Sequence, residues 1–103
     1  MFVFSPKITT DKEIFTANYS SLLSQRDVIL SAVWTSTLLS GVDPNPMAMI
    51  VGEPMINGMF VGQMIGNGVQ NATYILQCTV TTSLGEEVTI YGKLLCVAPP
   101  DLP

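Results

Sequence analysis

Histidine is absent from this sequence of 103 residues, and charged side chains are rare through its middle. Between Val28 and Gly85 only Asp43 and Glu53 carry a charge. Without histidine the chain lacks the side chain that most often acts as a general base near neutral pH. Without charges, this stretch lacks the usual solvated covering of a monomer, which favours a domain covered by neighbours in an assembly. Outer faces made of Thr, Ser, Asn and Gln are the alternative interpretation.

Basic residues are also few, and the net charge is −4 with a sequence pI near 4.3. The basic residues are Lys7, Lys12, Arg26 and Lys93. They are too scattered to form a stripe that follows a phosphate backbone, so we expect no nucleic acid as a partner. Apolar runs fall short of the roughly 20 residues that a membrane span needs, so we expect no membrane partner either.

The first residues, Met1 to Pro6, lack the basic head and the long apolar segment of a secretory signal. We therefore expect the chain to be made in the cytoplasm and not to be exported by that route.

Residues suited to catalysis or metal binding are sparse. Glu86 and Glu87 are adjacent carboxylates in an expected turn, and neighbours on a strand point to opposite faces, so they cannot act together as acid and base. The stretch from Asp43 to Asn45 lacks the alternating oxygen ligands of a calcium loop, and no Cys and His set for zinc is present. We expect no enzymatic activity, no metal and no cofactor.

The two cysteines are predicted to be free thiols. If Thr82 lies opposite Glu87 across the last turn, paired residue numbers sum to roughly 169, which places Cys78 near Tyr91 and Cys96 near Thr73. The two sulfurs would then lie roughly 17 Å apart along the strands, beyond the Cα separation of about 7 Å that a disulfide allows.

Two parts of the chain show the alternation of polar and apolar residues that is typical of strands. The first runs from Val28 to Leu39, with Trp34 expected in the core. Its expected inward face is Val28, Leu30, Ala32 and Trp34. The second is a long antiparallel hairpin, with Tyr74, Leu76, Cys78 and Val80 on one face of its first strand and Val88, Ile90, Leu94 and Cys96 on one face of its second.

Glycine and proline interrupt the middle of the chain too often for helices of useful length. Short strands fit between them, near Ala48 to Val51 and Phe60 to Ile65, with Asn57-Gly58 as a hairpin turn. The sequence therefore predicts one all-β domain, a two-layer antiparallel β-sandwich over residues 13–98. Residues 1–12 are expected to form an extended N-terminal arm, and residues 99–103 a Pro-rich C-terminal tail.

Several short motifs follow one another in a characteristic order. They are Phe15-Thr16-Ala17-Asn18-Tyr19, Leu22-Leu23, Asp27 through Trp34, Ile65-Gly66-Asn67-Gly68, and Tyr74 through Gly85. In this order they resemble the fiber-tail adaptor proteins of tailed bacteriophages, which are small immunoglobulin-like virion proteins. The resemblance implies an immunoglobulin-like sandwich in the tail or connector region of a virion, with copies of itself in a ring or multimer, joined to fibers or neighbouring structural proteins.

Candidate interface residues come from two regions. Those of the N-terminal arm are Phe2, Val3, Phe4 and Ile8, which could lie across a neighbour or add a strand to an open sheet edge. Those of the Pro/Gly-rich region are Met47, Met49 and Met55, whose flexible thioethers adapt to irregular partners. A frayed terminus and ordinary loop packing are the competing interpretations.

Two functions from different classes remain open on the sequence alone. The first is a virion adaptor that acts only through protein contacts. The second is an immunoglobulin-like module that decorates a capsid or binds glycans, for which exposed aromatic side chains would supply stacking faces. With Trp34 and Tyr74 expected in the core, Tyr19 and Tyr91 are the aromatic candidates for glycan binding.

Overall fold

The structure is a computed structural model that describes residues 2–4, 7–24 and 26–97, with the backbone alone described for Phe2 and Val3. Its strands are β1 (Phe2–Val3), β2 (Lys7–Ile8), β3 (Glu13–Asn18), β4 (Ile29–Ser40), β5 (Ile50–Asn57), β6 (Phe60–Ile65), β7 (Thr73–Thr82) and β8 (Glu87–Val97). A short 3-10 helix, Pro46–Met49, precedes β5. The predicted Pro-rich tail lies outside the described residues.

The strands form two sheets that pack as a sandwich, which confirms the predicted all-β architecture. The large sheet has the order β1-β8-β7-β4, with β2 also paired to β8, and the small sheet has the order β3-β6-β5. Residues on the two inner faces form one hydrophobic core, which includes Tyr19, Trp34, Val61, Tyr74 and Leu94. Burial of alternate residues on strands from both sheets is what holds the layers together.

The hairpin of β7 and β8 is confirmed, with its register one residue away from the prediction. Thr81 pairs with Glu87 and Cys78 with Ile90, so the residue numbers of cross-strand partners sum to 168. Every second residue of β7 is buried, from Tyr74 to Thr82. Cys78 and Cys96 are both free and buried, as predicted.

Strand β4 confirms Trp34 as a core residue but overturns part of the predicted inward face. Trp34 is 3% exposed, whereas Val28 and Leu30 are 57% and 62% exposed. The reason is a β-bulge: Ile29 pairs with Thr82 and Ser31 with Thr81, so Leu30 is an extra residue. An inserted residue reverses the inward and outward alternation, which turns Ile29 to the core in place of its neighbours.

The described part of the N-terminal segment, for which an extended arm was predicted, forms two short strands that pair with the chain's own sheet. Strand β1 runs parallel to β8 with Phe2 beside Gly92, and β2 runs parallel to β8 with Lys7 beside Cys96. Backbone hydrogen bonds from Phe4 N–H to Lys93 and from Thr9 N–H to Val97 extend the pairing. These residues therefore cover the β8 edge of their own sheet and do not project as a separate arm.

The Pro/Gly-rich region forms a hairpin of β5 and β6 with a two-residue turn, one residue later than predicted. Asn57 pairs with Phe60, so the turn residues are Gly58 and Met59. Gly58 has φ +60, a conformation that favours glycine at the first position of such a turn. Strand β5 begins at Ile50, later than expected, because Pro46–Met49 forms the 3-10 helix.

Candidate protein-docking surface

The outer face of the small sheet is made by alternate residues of its three strands. On β3, Phe15 and Ala17 are buried, so Ile14 and its alternate neighbours turn outward. The pairing of β3 with β6 and of β6 with β5 then fixes the outward set on all three strands. We call this set the Met55 face: Ile14, Thr16, Asn18, Val51, Met55, Asn57, Phe60, Gly62 and Met64.

Large apolar side chains of the Met55 face are exposed. Ile14 is 55%, Met55 46% and Phe60 48% exposed. Around Gly62 these side chains approach one another, because a Cβ on Gly62 would lie 3.2 Å from Cγ2 of Ile14 and 3.6 Å from Cε of Met55. The glycine allows Ile14 of one edge strand and Met55 of the other to approach each other over the central strand.

No residue of the Met55 face carries a charge. At one end of the face, the stem of Lys12 and the side chain of Val51 both approach Gly66. Glu53 is exposed within β5, in the stretch between Val51 and Met55 where the pairing with β6 is interrupted. The depletion of charge among the residues of this face is typical of the core of a protein interface.

The side chain of Gln63 fixes the backbone that brings Met55 to this face. The register of β5 against β6 shifts between Val51 and Met55, which leaves backbone carbonyls without strand partners. Gln63 Nε2 donates to the carbonyl of Val51 at 2.9 Å and to that of Gly52 at 3.1 Å. This role was not predicted, although a glutamine between the inward residues Val61 and Ile65 is the signal that would have indicated it.

The structure does not bring the predicted interface residues together at one surface. Met55 and Met47 are 46% and 47% exposed, on the Met55 face and beside β4 respectively. Met49 is fully buried in the core, so it offers nothing to a partner. Ile8 is half-buried on β2. The side chains of Phe2 and Val3 lie outside what the structure describes.

Phe4 is half-buried and packs inside its own domain. Its ring meets the ring of Phe15 edge to face, with ring centroids 5.0 Å apart. It also occupies the space above Gly92, since a Cβ there would clash with the ring of Phe4. Beside it a cavity of about 150 Å³ is lined by Phe4, Thr16, Ala17, Asn18 and Ile90.

The groups with shifted pKa values are buried and structural. Burial raises the pKa of the Cys78 and Cys96 thiols, so both are protonated at neutral pH. Burial and a hydrogen bond to Asp43 raise the pKa of Tyr74 to about 12. Within the described residues no three His, Cys, Asp or Glu side chains are grouped so that they could bind a metal. Nor does that part of the chain include a helix long and apolar enough to span a membrane.

No protein-family model matches the sequence, and a search of curated proteins finds no match.

Proposed function

We propose that this chain is a structural protein of a tailed-phage virion, which joins the tail or connector to fibers or neighbouring structural proteins. The uncharged, apolar Met55 face is the observation that carries the proposal. The order of the sequence motifs, which resembles that of phage fiber-tail adaptor proteins, supports a location in the virion.

The Met55 face is suited to docking because its apolar side chains stand on paired strands. Burying a large apolar side chain is worth about 1.5 to 3 kcal/mol, and the chain exposes Ile14, Met55 and Phe60 together. Strand backbones are ordered before binding, so little conformational entropy is lost on contact. A partner with an uncharged apolar surface fits this face, and the absence of charge removes the need to desolvate an ion.

The glycan-binding alternative has less support. Of its two aromatic candidates, Tyr19 is fully buried and Tyr91 is 48% exposed on the outer face of the large sheet. Tyr91 lies in a row with Thr35 and Gln77. Phe60 is also 48% exposed but lies on the other sheet, so the two rings do not form the extended aromatic platform that a sugar chain stacks on.

The direct test is incorporation of variants into phage particles. In a phage whose own copy is deleted, we expect Met55→Glu to be depleted at least about tenfold from purified particles, because it would bury an unpaired carboxylate. Leu95→Glu is the matched control, since Leu95 is 40% exposed on the outer face of the other sheet. Melting temperatures of the purified variants separate docking from folding.

Immunogold labelling with an antibody to the chain gives the location. We expect label at the tail or connector of intact particles. Absence of the chain from purified particles, or equal incorporation of Met55→Glu and the wild type, would count against the proposal. Specific binding on a glycan array that is lost in Tyr91→Ala would favour the alternative instead.

A further inference from the structure

Strand β4 forms an open edge of the large sheet. It pairs with β7 on one side, and on its other side no strand of the described chain pairs with it. The Ser36 N–H points to this open side, because it donates to Sδ of Met47 at 3.3 Å. Amide directions alternate along a strand, so the N–H groups of Ala32 and Trp34 point to the same side.

This edge lacks the features that usually prevent strands from pairing with other chains. The whole of β4, Ile29–Ser40, contains no charged residue, no proline and no glycine. By contrast, the edge strand β5 contains Gly52, Glu53 and Pro54 together with a register shift. Edge strand β3 begins at Glu13, directly after Asp11 and Lys12. Charges and prolines are common protections of an edge and are absent from β4, which has a bulge near each end and the 3-10 helix Pro46–Met49 packed beside it.

The two bulges of β4 are placed symmetrically. Leu30 is the extra residue at one end, and Leu39 is the extra residue at the other, because Leu38 pairs with Tyr74 and Ser40 with Thr73. Between them runs a regular stretch whose centre lies at Trp34 and Thr35. Leu30 and Leu39 are 62% and 52% exposed. Cross-strand partners point to the same face of a sheet, so a symmetric antiparallel pair of β4 strands must place a residue opposite its own copy. With Thr35 opposite Thr35, Leu30 of each copy would come close to Leu39 of the other.

We propose that β4 pairs antiparallel with β4 of a second copy, giving a dimer with one continuous sheet across both subunits. Antiparallel pairing of one strand with itself satisfies two-fold symmetry, so a single edge supplies both halves of the interface. The proposal uses a different surface from the Met55 face and does not depend on it.

The lack of charge allows this edge to act as a contact between copies. The net charge of −4 makes two copies repel each other on average, so a stable contact must lie where no like charges meet. The outward residues of the regular stretch are Ser31, Val33, Thr35 and Thr37. Thr and Val pairs across antiparallel strands are stabilising, and none of these residues is ionisable.

Met47 covers the edge while the chain is a monomer. A thioether sulfur is a weak hydrogen-bond acceptor, and a backbone carbonyl of an incoming strand is a stronger one. Met47 is 47% exposed and comes from the short 3-10 helix, so its side chain can leave the edge while Met49 of the same helix stays buried. Dimer formation therefore exchanges a weak sulfur contact for backbone hydrogen bonds.

Sedimentation velocity of the purified full chain over a range of concentrations tests the pairing. We expect a monomer–dimer equilibrium, and we expect Met47→Ala to tighten it by about fivefold to tenfold, since the dimer replaces one weak sulfur contact in each copy and the two together are of the order of one hydrogen bond. Met55→Ala is the matched control because its exposure is nearly the same, at 46%, on another face. It should leave the equilibrium unchanged. If the wild type and Met47→Ala are both monomeric at the highest soluble concentration, the proposal is wrong.

A pair of lysine variants separates edge pairing from stacking of whole faces. Thr35 and Gln77 are cross-strand neighbours on the same outer face, but Thr35 is on the edge strand and Gln77 is on the strand inside it. We expect Thr35→Lys to abolish the dimer, because it places a charge from each copy at the shared centre, and Gln77→Lys to leave the dimer intact. Loss of the dimer in both variants would indicate face-to-face association and overturn the edge pairing. Circular dichroism of both variants confirms that each retains its strands.

Discussion

The two edge strands of the large sheet, β8 and β4, differ in what pairs with them. At β8 the chain's own β1 and β2 pair with the edge, and at β4 no strand of the described residues does so. The β8 edge is completed within the molecule, whereas β4 is covered at Ser36 by the sulfur of Met47. The difference indicates which edge is available to another chain without unfolding any part of this one.

The residues that cover the two edges differ in the strength of their contacts. Lys7 is fully buried, and its Nζ donates at 2.8 Å to the carbonyl of Ile8 and at 2.8 Å to that of Asn67. Hydrogen bonds from a charged donor are roughly twice as strong as neutral ones. Met47 offers only a weak sulfur acceptor. The N-terminal segment pairs with β8 through its backbone and is also held to Asn67 by Lys7, whereas Met47 can be displaced from β4.

Among substitutions that test the two edges, replacing Trp34 is expected to change the free energy of unfolding most, because burial of its indole holds β4 against the core. Trp34→Ala should lower the free energy of unfolding by about 3 to 5 kcal/mol, through lost burial and a cavity. The indole Nε1 has no hydrogen-bond partner among the described residues, so the loss comes from packing. Urea unfolding followed by circular dichroism measures it.

The neighbouring residue supplies the control for Trp34. Val33 is 61% exposed on the opposite face of β4, so Val33→Ala should change the free energy of unfolding by less than about 0.5 kcal/mol. Equal losses in both variants would mean that the faces of β4 are assigned the wrong way round. Trp34→Phe should recover most of the loss, since it restores much of the apolar volume.

Replacing Lys7 tests how firmly the β8 edge is covered. Lys7→Met keeps the aliphatic stem but removes the donor to three backbone carbonyls, so we expect a loss of about 1 to 3 kcal/mol. Hydrogen exchange of the Phe4 and Thr9 amides, which bond to β8, should accelerate more than that of the β7 amides. Lys12→Met, at an exposed lysine, is the control. Unchanged exchange at Phe4 and Thr9 would show that Lys7 does not fasten this segment.

Regular alternation made much of the fold predictable. The β7 and β8 hairpin, the sandwich, the free cysteines and the buried Trp34 follow from period-two patterns and turn residues. The bulges could not be predicted in this way. An inserted residue such as Leu30 cannot be recognised from composition, because its position is determined by pairing with a distant strand. The parallel pairing of β1 and β2 was missed for the same reason, since Lys7 looks like a surface residue until Asn67 is brought to it.

The candidate site was predictable only in part. Met55 was expected at an interface and lies on the exposed uncharged face, but Met49 from the same run of methionines is fully buried. Spacing along the chain does not separate them, because a 3-10 helix and a register shift intervene. Ile14 and Phe60 were not predicted as interface residues, because their position on the Met55 face depends on which strands are neighbours in the small sheet.

Tyr19 offers a smaller test, at the contact between the two layers and away from either edge. Its Oη lies 2.6 Å from the carbonyl oxygen of Cys78 and 3.2 Å from that of Val88. Burial raises the pKa of Tyr19 far above its usual value, so the hydroxyl remains a donor at every pH of interest. Tyr19→Phe should cost about 1 to 2 kcal/mol, independent of pH, in urea unfolding. A cost that varied with pH between 5 and 9 would contradict this assignment.

The smallest effect is expected at Asp27, where the chain enters β4. Burial opposes ionisation of this carboxyl, but hydrogen bonds from Ser83, Thr82 and the backbone outweigh it and hold the pKa below its usual value. Asp27 Oδ1 accepts from Ser83 Oγ at 3.0 Å and from the N–H of Val28 at 3.0 Å, which ties the start of β4 to the β7–β8 turn.

A lowered pKa in the folded state means that the ionised carboxylate stabilises the fold. This contribution is present above the unfolded pKa, near 3.8, and is lost as the pH falls through the lower folded value. The stability advantage of the wild type over Asp27→Asn should therefore shrink on acidification below about pH 4. Carbon NMR titration should give a higher Asp27 pKa in Ser83→Ala than in the wild type. An unchanged pKa would mean that the serine hydroxyl does not hold the charge, and that the turn is tied to β4 by backbone contacts alone.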